Sequence, residues 1–148
     1  MSTETMIIGW ICVLPRLSEQ EQRHRLKAAG AERVVVDGRR DRDRPRESWK
    51  TLLKMARPGD VVAICHGRAL IDGKADASAR ASFFDRLGEL EDCGVVVWDL
   101  NTDCRSDDRK QRDRMCAVTL EDAAKAARGA NGGRPGWVPT PEQRAWAY

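Results

Sequence analysis

Four short apolar runs, separated by segments of helical periodicity, constrain the fold of this chain more than any other feature. The runs are residues 6–14, 33–37, 60–65 and 95–100. They are rich in β-branched residues and bounded by turn residues, which is typical of strands buried on both faces of a parallel sheet. Strands that alternate with helices pair in parallel through crossover connections. The sequence therefore predicts an α/β fold, a three-layer sandwich with a mostly parallel sheet of four to five strands.

Capping signals and apolar periodicity place the helices between these runs. Ser18 with Glu21 matches a capping box, and Gly30 suits a left-handed cap, so a helix is predicted between them. Four more helices are predicted: one from Glu47, one over residues 82–90, one over residues 115–127, and one that starts at Thr140. Residues 66–77 are expected to form a loop and residues 129–136 a linker.

Composition narrows the class of protein. The chain has 148 residues and a net charge of +3, and none of its apolar runs reaches the roughly 18 residues of a membrane span. Its five cysteines include no CxxC pair, so neither a disulfide framework nor a zinc site is predicted, and no other metal or cofactor is indicated. The N-terminus lacks the pattern of a secretory signal, so we expect a cytoplasmic protein without a membrane partner.

Short motifs follow one another in a fixed order along residues 6–103. They are Gln22 with Leu26-Lys27-Ala28-Ala29-Gly30, Asp37, Arg57-Pro58-Gly59-Asp60, and Asn101-Thr102-Asp103. This series resembles the N-terminal catalytic domain of the resolvase/invertase serine recombinases. The resemblance implies a resolvase-like domain over residues 1–104, a shortened helical extension over 105–128, and a linker and tail over 129–148. Residues 132–135 and 140–143 look like the linker of that family into its DNA-reading helices, but too few residues follow to form them.

The resemblance also implies a chemistry that this sequence does not support. In that family a serine at the end of the first strand attacks a DNA phosphodiester, and arginines stabilise the phosphate. Leu14 stands at the serine position, and Cys12 replaces a neighbouring arginine. Ala69 and Asp72 occupy the places of two further arginines. The sequence therefore predicts no catalytic residue in the usual positions.

Other groups are weaker candidates for such a site. Ser18 is close to the nucleophile position, although its capping-box context favours a structural role. The Cys12 thiol is expected to be an inert packing group. Arg68 serves as a phosphate ligand only if its loop shifts by one residue. His66 follows a strand end, where functional residues of α/β folds often lie, but its neighbours favour an ordinary loop histidine, and His24 is expected to be solvated.

Positive charge concentrates between residues 39 and 57. Eight basic residues there face three acidic ones, a local net charge of +5. The candidate DNA-binding residues, all arginines, are Arg39, Arg40, Arg42, Arg44, Arg46 and Arg134. Two interpretations fit this pattern equally well: the arginines contact DNA phosphates, or they belong to a charged loop that is only exposed to solvent.

Three functional hypotheses remain open at this point. The first is a noncatalytic resolvase-like protein, associated with DNA or accessory to recombination, from a phage or other mobile element. The second is an assembly protein whose tail binds a protein partner through Trp137, Trp146 and Tyr148, three of the eight aromatic residues of the chain. The third is an active recombinase with a relocated nucleophile. Each is compatible with an oligomer.

Overall fold

The computed structural model describes residues 5–12, 14, 17–37, 47–71 and 77–131, with the backbone alone for 129–131. The strands are β1 (Ile7–Ile11), β2 (Arg33–Val36), β3 (Val61–Ile64), β4 (Val96–Asp99) and β5 (Cys104–Arg105). The helices are α1 (Glu19–Ala28), α2 (Glu47–Met55), α3 (Ser78–Asp92) and α4 (Arg109–Asn131), with a 3-10 helix at Gly67–Leu70. Across these residues, none of the helices combines the length and apolarity needed to cross a bilayer.

The five strands form one sheet in the order β2-β1-β3-β4-β5. The first four strands in this order run parallel, and the short β5 is antiparallel to β4. Gly9 in the central β1 pairs with Val34 on one side and with Ala63 on the other. The predicted α/β fold with a mostly parallel sheet is confirmed.

The two faces of the sheet carry cores of different size. Alternate residues of β1 point to opposite faces, so that Ile8 and Trp10 enter the larger core and Ile11 the smaller one. Residues of α2, α3 and α4 fill the larger core, whereas α1 covers the smaller one through Leu26. These helices and the sheet between them make the three layers that the sequence predicts.

The ends of α1 follow the sequence signals closely. The Ser18 hydroxyl accepts a hydrogen bond from the Glu21 backbone N–H at 3.1 Å. At the other end Gly30 has a φ of +102°, a conformation that only glycine adopts without strain. The predicted cap residues of this helix are confirmed, because both signals act over a few neighbouring residues.

The turn Arg57-Pro58-Gly59-Asp60 lies at the amino-terminal edge of the sheet, where it holds the starts of two strands together. The Asp60 carboxylate accepts hydrogen bonds from the backbone N–H groups of Met6 at 3.2 Å and Arg57 at 3.0 Å. Gly59 lies in the left-handed region, with a φ of +93°. The buried Asp60 thereby ties the start of β1 to the turn that precedes β3.

An aromatic and cationic stack links β1 to two helices in the larger core. The rings of Trp10 and Trp49 meet edge to face, with centroids 5.2 Å apart. The Arg86 guanidinium lies 4.5 Å from the centre of the Trp49 ring, and the Trp49 indole donates to Glu89 at 2.8 Å. Arg86 is buried, so this cation–π contact forms away from water, where it is strongest.

Three sequence predictions need correction. Residues 66–77 are not all loop, because the 3-10 helix lies within them, capped by the His66 ring that accepts from the Arg68 N–H. Helix α3 begins at Ser78, four residues before the predicted start. Helix α4 includes the charge run before residue 115 and extends to Asn131, inside the predicted linker. Contacts distant in sequence explain the early start of α4, since Arg112 pairs with Glu91 at 2.7 Å.

We predict that Gly9→Ala destabilises the protein by about 1–3 kcal/mol, the usual cost of overpacking a core. A Cβ at Gly9 would lie 2.8 Å from Cδ1 of Leu26, which is fully buried. Denaturant unfolding of the two proteins measures the difference.

The matched control is Gly88→Ala in α3. A Cβ at Gly88 meets nothing within 4 Å, and alanine favours helix by about 0.5–1 kcal/mol over glycine. The control is therefore expected to gain stability. Equal stability of Gly9→Ala and the parent chain would contradict the close approach of α1 to β1.

Candidate functional site

The carboxyl ends of the parallel strands bring several polar side chains to one edge of the sheet. Cys12 follows β1, Cys65 and His66 follow β3, and Asp99 ends β4. In open α/β sheets this edge is the usual place of a ligand site, especially where strand order reverses. Here the order reverses between β1 and β3, so that Cys12 and Cys65 flank the candidate site.

A hydrocarbon occupies the position where the resemblance places a nucleophile. Leu14 is buried, belongs to the larger core, and pairs with Leu17 in an isolated antiparallel bridge. The leucine side chain is a hydrocarbon without a lone pair, and here it packs in the core. Leu14 therefore has a structural role in the connection between β1 and α1.

The two cysteines at this edge are held among backbone carbonyls. The Cys12 Sγ lies 4.0 Å from the Ala69 carbonyl oxygen, and Cys12 is buried. The Cys65 thiol donates to the Gln22 carbonyl at 3.5 Å, and burial raises the pKa of this thiol to about 11. A thiol with so high a pKa is a poor nucleophile at neutral pH, because the thiolate is the reactive form.

Gln22 closes the connection between β1 and α1 from inside. Its side-chain amide donates to the carbonyls of Cys12 at 2.8 Å and Leu17 at 3.1 Å. Gln22 is 1% exposed, and its Oε1 has no hydrogen-bond partner within the described part of the chain. The sequence indicates Gln22 only as part of a motif, and its spacing from Cys12 does not predict this contact.

Ser18 is also committed to local structure. Its exposed hydroxyl accepts from the Glu21 N–H and lies 3.4 Å from the Glu21 carboxylate. His24, on the exposed face of α1, is solvated as expected. The cap therefore occupies the hydroxyl nearest to the predicted nucleophile position.

The structure places one arginine of the candidate set at this edge. Arg68 belongs to the 3-10 helix and is half-buried, and its Nε has no hydrogen-bond partner among the residues described. Its neighbour Ala69 is buried, and the Ala69 carbonyl accepts from the Trp10 indole at 3.3 Å. The apolar side chain at position 69 offers no donor to a phosphate.

The remaining predicted site residues lie outside the described residues. These are Asp72, the basic residues Arg39, Arg40, Arg42, Arg44, Arg46 and Arg134, and the aromatic residues Trp137, Trp146 and Tyr148. Over the ranges that are described, no three acidic, histidine or cysteine side chains form a cluster that suits a metal ion.

Sequence reasoning missed a hydrogen bond between the 3-10 helix region and α4. The His66 Nε2 lies 2.8 Å from the Asp122 Oδ2, while the His66 Nδ1 accepts from the Arg68 N–H at 3.1 Å. His66 is therefore not an isolated loop histidine. No sequence signal indicates the pair, because its members are 56 residues apart.

Asp99 is the fully buried acid of this edge. Its two oxygens accept from the Asn101 N–H at 3.0 Å and from the Thr102 hydroxyl at 2.9 Å. Burial nevertheless raises the pKa of Asp99, against the lowering effects of the Thr102 and Asn101 hydrogen bonds. The environment thus disfavours the carboxylate, and Asp99 shapes the turn between β4 and β5.

Comparison with solved structures supports the resemblance at the level of fold. The chain is similar to the N-terminal catalytic domain of TP901-1 integrase, seen in a crystal structure, with a TM-score of 0.51 and 14% sequence identity. The match covers 86% of this chain and 99% of that domain. No protein-family model and no curated protein matches the sequence.

The fold of the chain is therefore resolvase-like, as in the catalytic domains of serine recombinases. The expected fold is confirmed by a structure that shares only about one residue in seven with this chain. Within this fold, the described carboxyl edge of the present chain contains the packed Leu14, two buried thiols, Arg68, His66 and the buried Asp99.

We predict that Asp99→Asn changes how stability depends on pH. Between its ordinary pKa of 3.8 and its raised native pKa, Asp99 keeps a proton in the folded state that the unfolded state has released. Stability of the parent chain therefore falls as pH rises through this window. The variant has no carboxyl group at this position and therefore no such fall. Its free energy of unfolding, relative to that of the parent chain, should rise with pH and then level off. Denaturant unfolding at a series of pH values measures it.

Thr102→Val provides the opposite test. This change removes a hydrogen bond that lowers the pKa of Asp99. The fall in stability should then extend to higher pH than in the parent chain. Identical pH profiles for all three proteins would contradict the assignment of Asp99.

Proposed function

We propose that this protein is a noncatalytic resolvase-like protein that associates with DNA, as an accessory to the recombination of a phage or other mobile element in the cytoplasm. The observation that carries the proposal is the buried Leu14 at the position of the nucleophile. The fold neighbour is the catalytic domain of an integrase, which supports DNA as the partner to test first.

Absence of strand cleavage is the chemical half of the proposal. Cleavage by a recombinase of this fold requires an oxygen or sulfur lone pair that attacks phosphorus. Leu14 has none, the Cys12 thiol is packed against Ala69, and the Ser18 hydroxyl caps α1. The transition state also gathers charge on phosphate oxygens, which needs several forked donors, whereas Ala69 contributes none. Both requirements thus point away from catalysis.

We predict that the purified protein forms no covalent adduct with supercoiled or nicked DNA. Denaturing gel electrophoresis after incubation measures this, because a phosphoserine or phosphocysteine linkage survives detergent. An adduct that disappears in Ser18→Ala or Cys12→Ala would overturn the proposal and favour the third hypothesis, a recombinase with a relocated nucleophile.

DNA association is the physical half of the proposal. Arginine suits contacts with phosphate because its planar fork matches two phosphate oxygens. The basic stretch between residues 39 and 57 has a local net charge of +5, whereas the net charge of the whole chain is +3. Binding through phosphates releases counterions and weakens steeply as salt rises. Salt dependence is therefore the property that identifies this mode.

We predict that the chain shifts duplex DNA in gel assays and that a variant with Arg39, Arg40 and Arg42 changed to Gln binds more weakly. Its dependence of log affinity on log salt should flatten by about 0.9 for each phosphate that the variant no longer neutralises. The control changes Arg109, Lys110 and Arg114 to Gln, which removes the same charge from exposed positions of α4. Equally weakened binding in both variants would contradict a specific role of the basic stretch.

The assembly hypothesis is distinguished by deleting residues 132–148, which removes all three tail aromatics and leaves α4 complete. Loss of a protein complex with unchanged DNA affinity would favour assembly over DNA association. Loss of salt-sensitive DNA binding would support the proposal and would include Arg134 among the residues that contact DNA phosphates.

A further inference from the structure

Helix α4 is fastened to the rest of the molecule at two separate places. Near its start, Arg112 pairs with Glu91 of α3 at 2.7 Å, and Met115 is fully buried in the larger core. Further along, the helix rests on the 3-10 helix region, where Asp122 binds His66 and Thr119 contacts Gly67. Both places share the larger core, which also contains Cys116 and Ala123, and the second place adds the polar contacts of Asp122 and Thr119.

The His66 ring is oriented by hydrogen bonds on both of its nitrogens. Its Nδ1 accepts from the Arg68 N–H at 3.1 Å, so this nitrogen carries no proton. The proton of the neutral ring is then on Nε2, which donates to the Asp122 carboxylate at 2.8 Å. A single side chain thus caps the 3-10 helix and holds α4.

The neighbouring contact, between Thr119 of α4 and Gly67 of the 3-10 helix, opposes the attachment of α4. Thr119 is fully buried, and a Cβ at Gly67 would collide with its hydroxyl oxygen, so the two segments approach very closely. This hydroxyl has no hydrogen-bond partner among the described residues, and neither has the Nε of Arg68 in the same 3-10 helix. An unpaired buried polar group costs free energy that water recovers when the contact opens.

We propose that the part of α4 from Cys116 to Arg128 is a latch, closed by the His66–Asp122 hydrogen bond and opposed by the unpaired Thr119 hydroxyl. It opens while the sheet, α3 and the start of α4 stay folded. Opening exposes Cys116, which is 3% exposed in the closed state. The latch does not depend on whether the chain binds DNA.

Thiol labelling of the full-length protein, followed by peptide mass spectrometry, tests the latch. Cys116 reports local opening, and Cys65, buried behind α1 at 3% exposure, reports wider unfolding in the same sample. We expect Asp122→Ala to raise the labelling rate of Cys116 about tenfold or more without changing that of Cys65, since this variant has no hydrogen bond between His66 and a charged group.

Two further variants separate the latch from a general loss of stability. Asp122→Asn keeps an oxygen that accepts from His66 but loses the charge, so the labelling rate of Cys116 should lie between those of the parent chain and Asp122→Ala. Thr119→Val keeps the shape of the side chain but removes the unpaired hydroxyl, so labelling of Cys116 should slow severalfold. Glu121→Gln, which removes only the exposed pair with Lys125, is the matched control and should have no effect.

Three results would overturn the proposal. One is a Cys116 rate that Asp122→Ala does not change. Another is a parallel rise of the Cys116 and Cys65 rates, which would mean that α4 opens only with the whole domain. The last is faster labelling in Thr119→Val, which would mean that the hydroxyl contributes to docking rather than opposing it.

Discussion

Burial of β1 on both of its faces is the constraint on which the rest of the structure depends. As an inner strand it pairs with β2 and β3, so its backbone is satisfied only when both neighbours are in register. Its side chains then divide between two cores, with Trp10 on one face and Ile11 on the other. Gly9, which has no side chain, lets Leu26 of α1 approach the strand closely. Trp10 meets Trp49 of α2 on the other face, so the positions of α1 and α2 follow from contacts with β1.

The same strand separates the residues that pack the core from those that would form a site at its end. Packing draws on Ile8, Trp10 and Ile11, whereas the chemistry would draw on residues at and beyond Cys12. In this chain those later residues also serve packing, since Leu14 joins the core and the Cys12 carbonyl is tied to Gln22. Cys12 and Leu14 thus belong to the scaffold, beside the polar side chains of Arg68, His66 and Asp99 at the described carboxyl edge.

Prediction from the sequence succeeded where the determining contacts are local. The Ser18 cap, the Gly30 turn and the four parallel strands each depend on a few consecutive residues, and each is present. It failed at the 3-10 helix and at the start of α4, where distant partners such as Glu91 stabilise the segment. Of the candidate site, the burial of Cys12 was expected, but Gln22, Asp99 and the His66–Asp122 pair were not.

By itself, the sequence determined the class of fold and the absence of a nucleophile at position 14. Residue identity and short-range periodicity suffice for both, because strand burial and lone pairs are properties of the residues themselves. Tertiary structure alone decided which groups meet at the carboxyl edge: the Gln22 amide on the Cys12 carbonyl, and the Asp122 carboxylate on His66. Such contacts depend on the register of the sheet and the direction of α4, which arise only when the whole core packs.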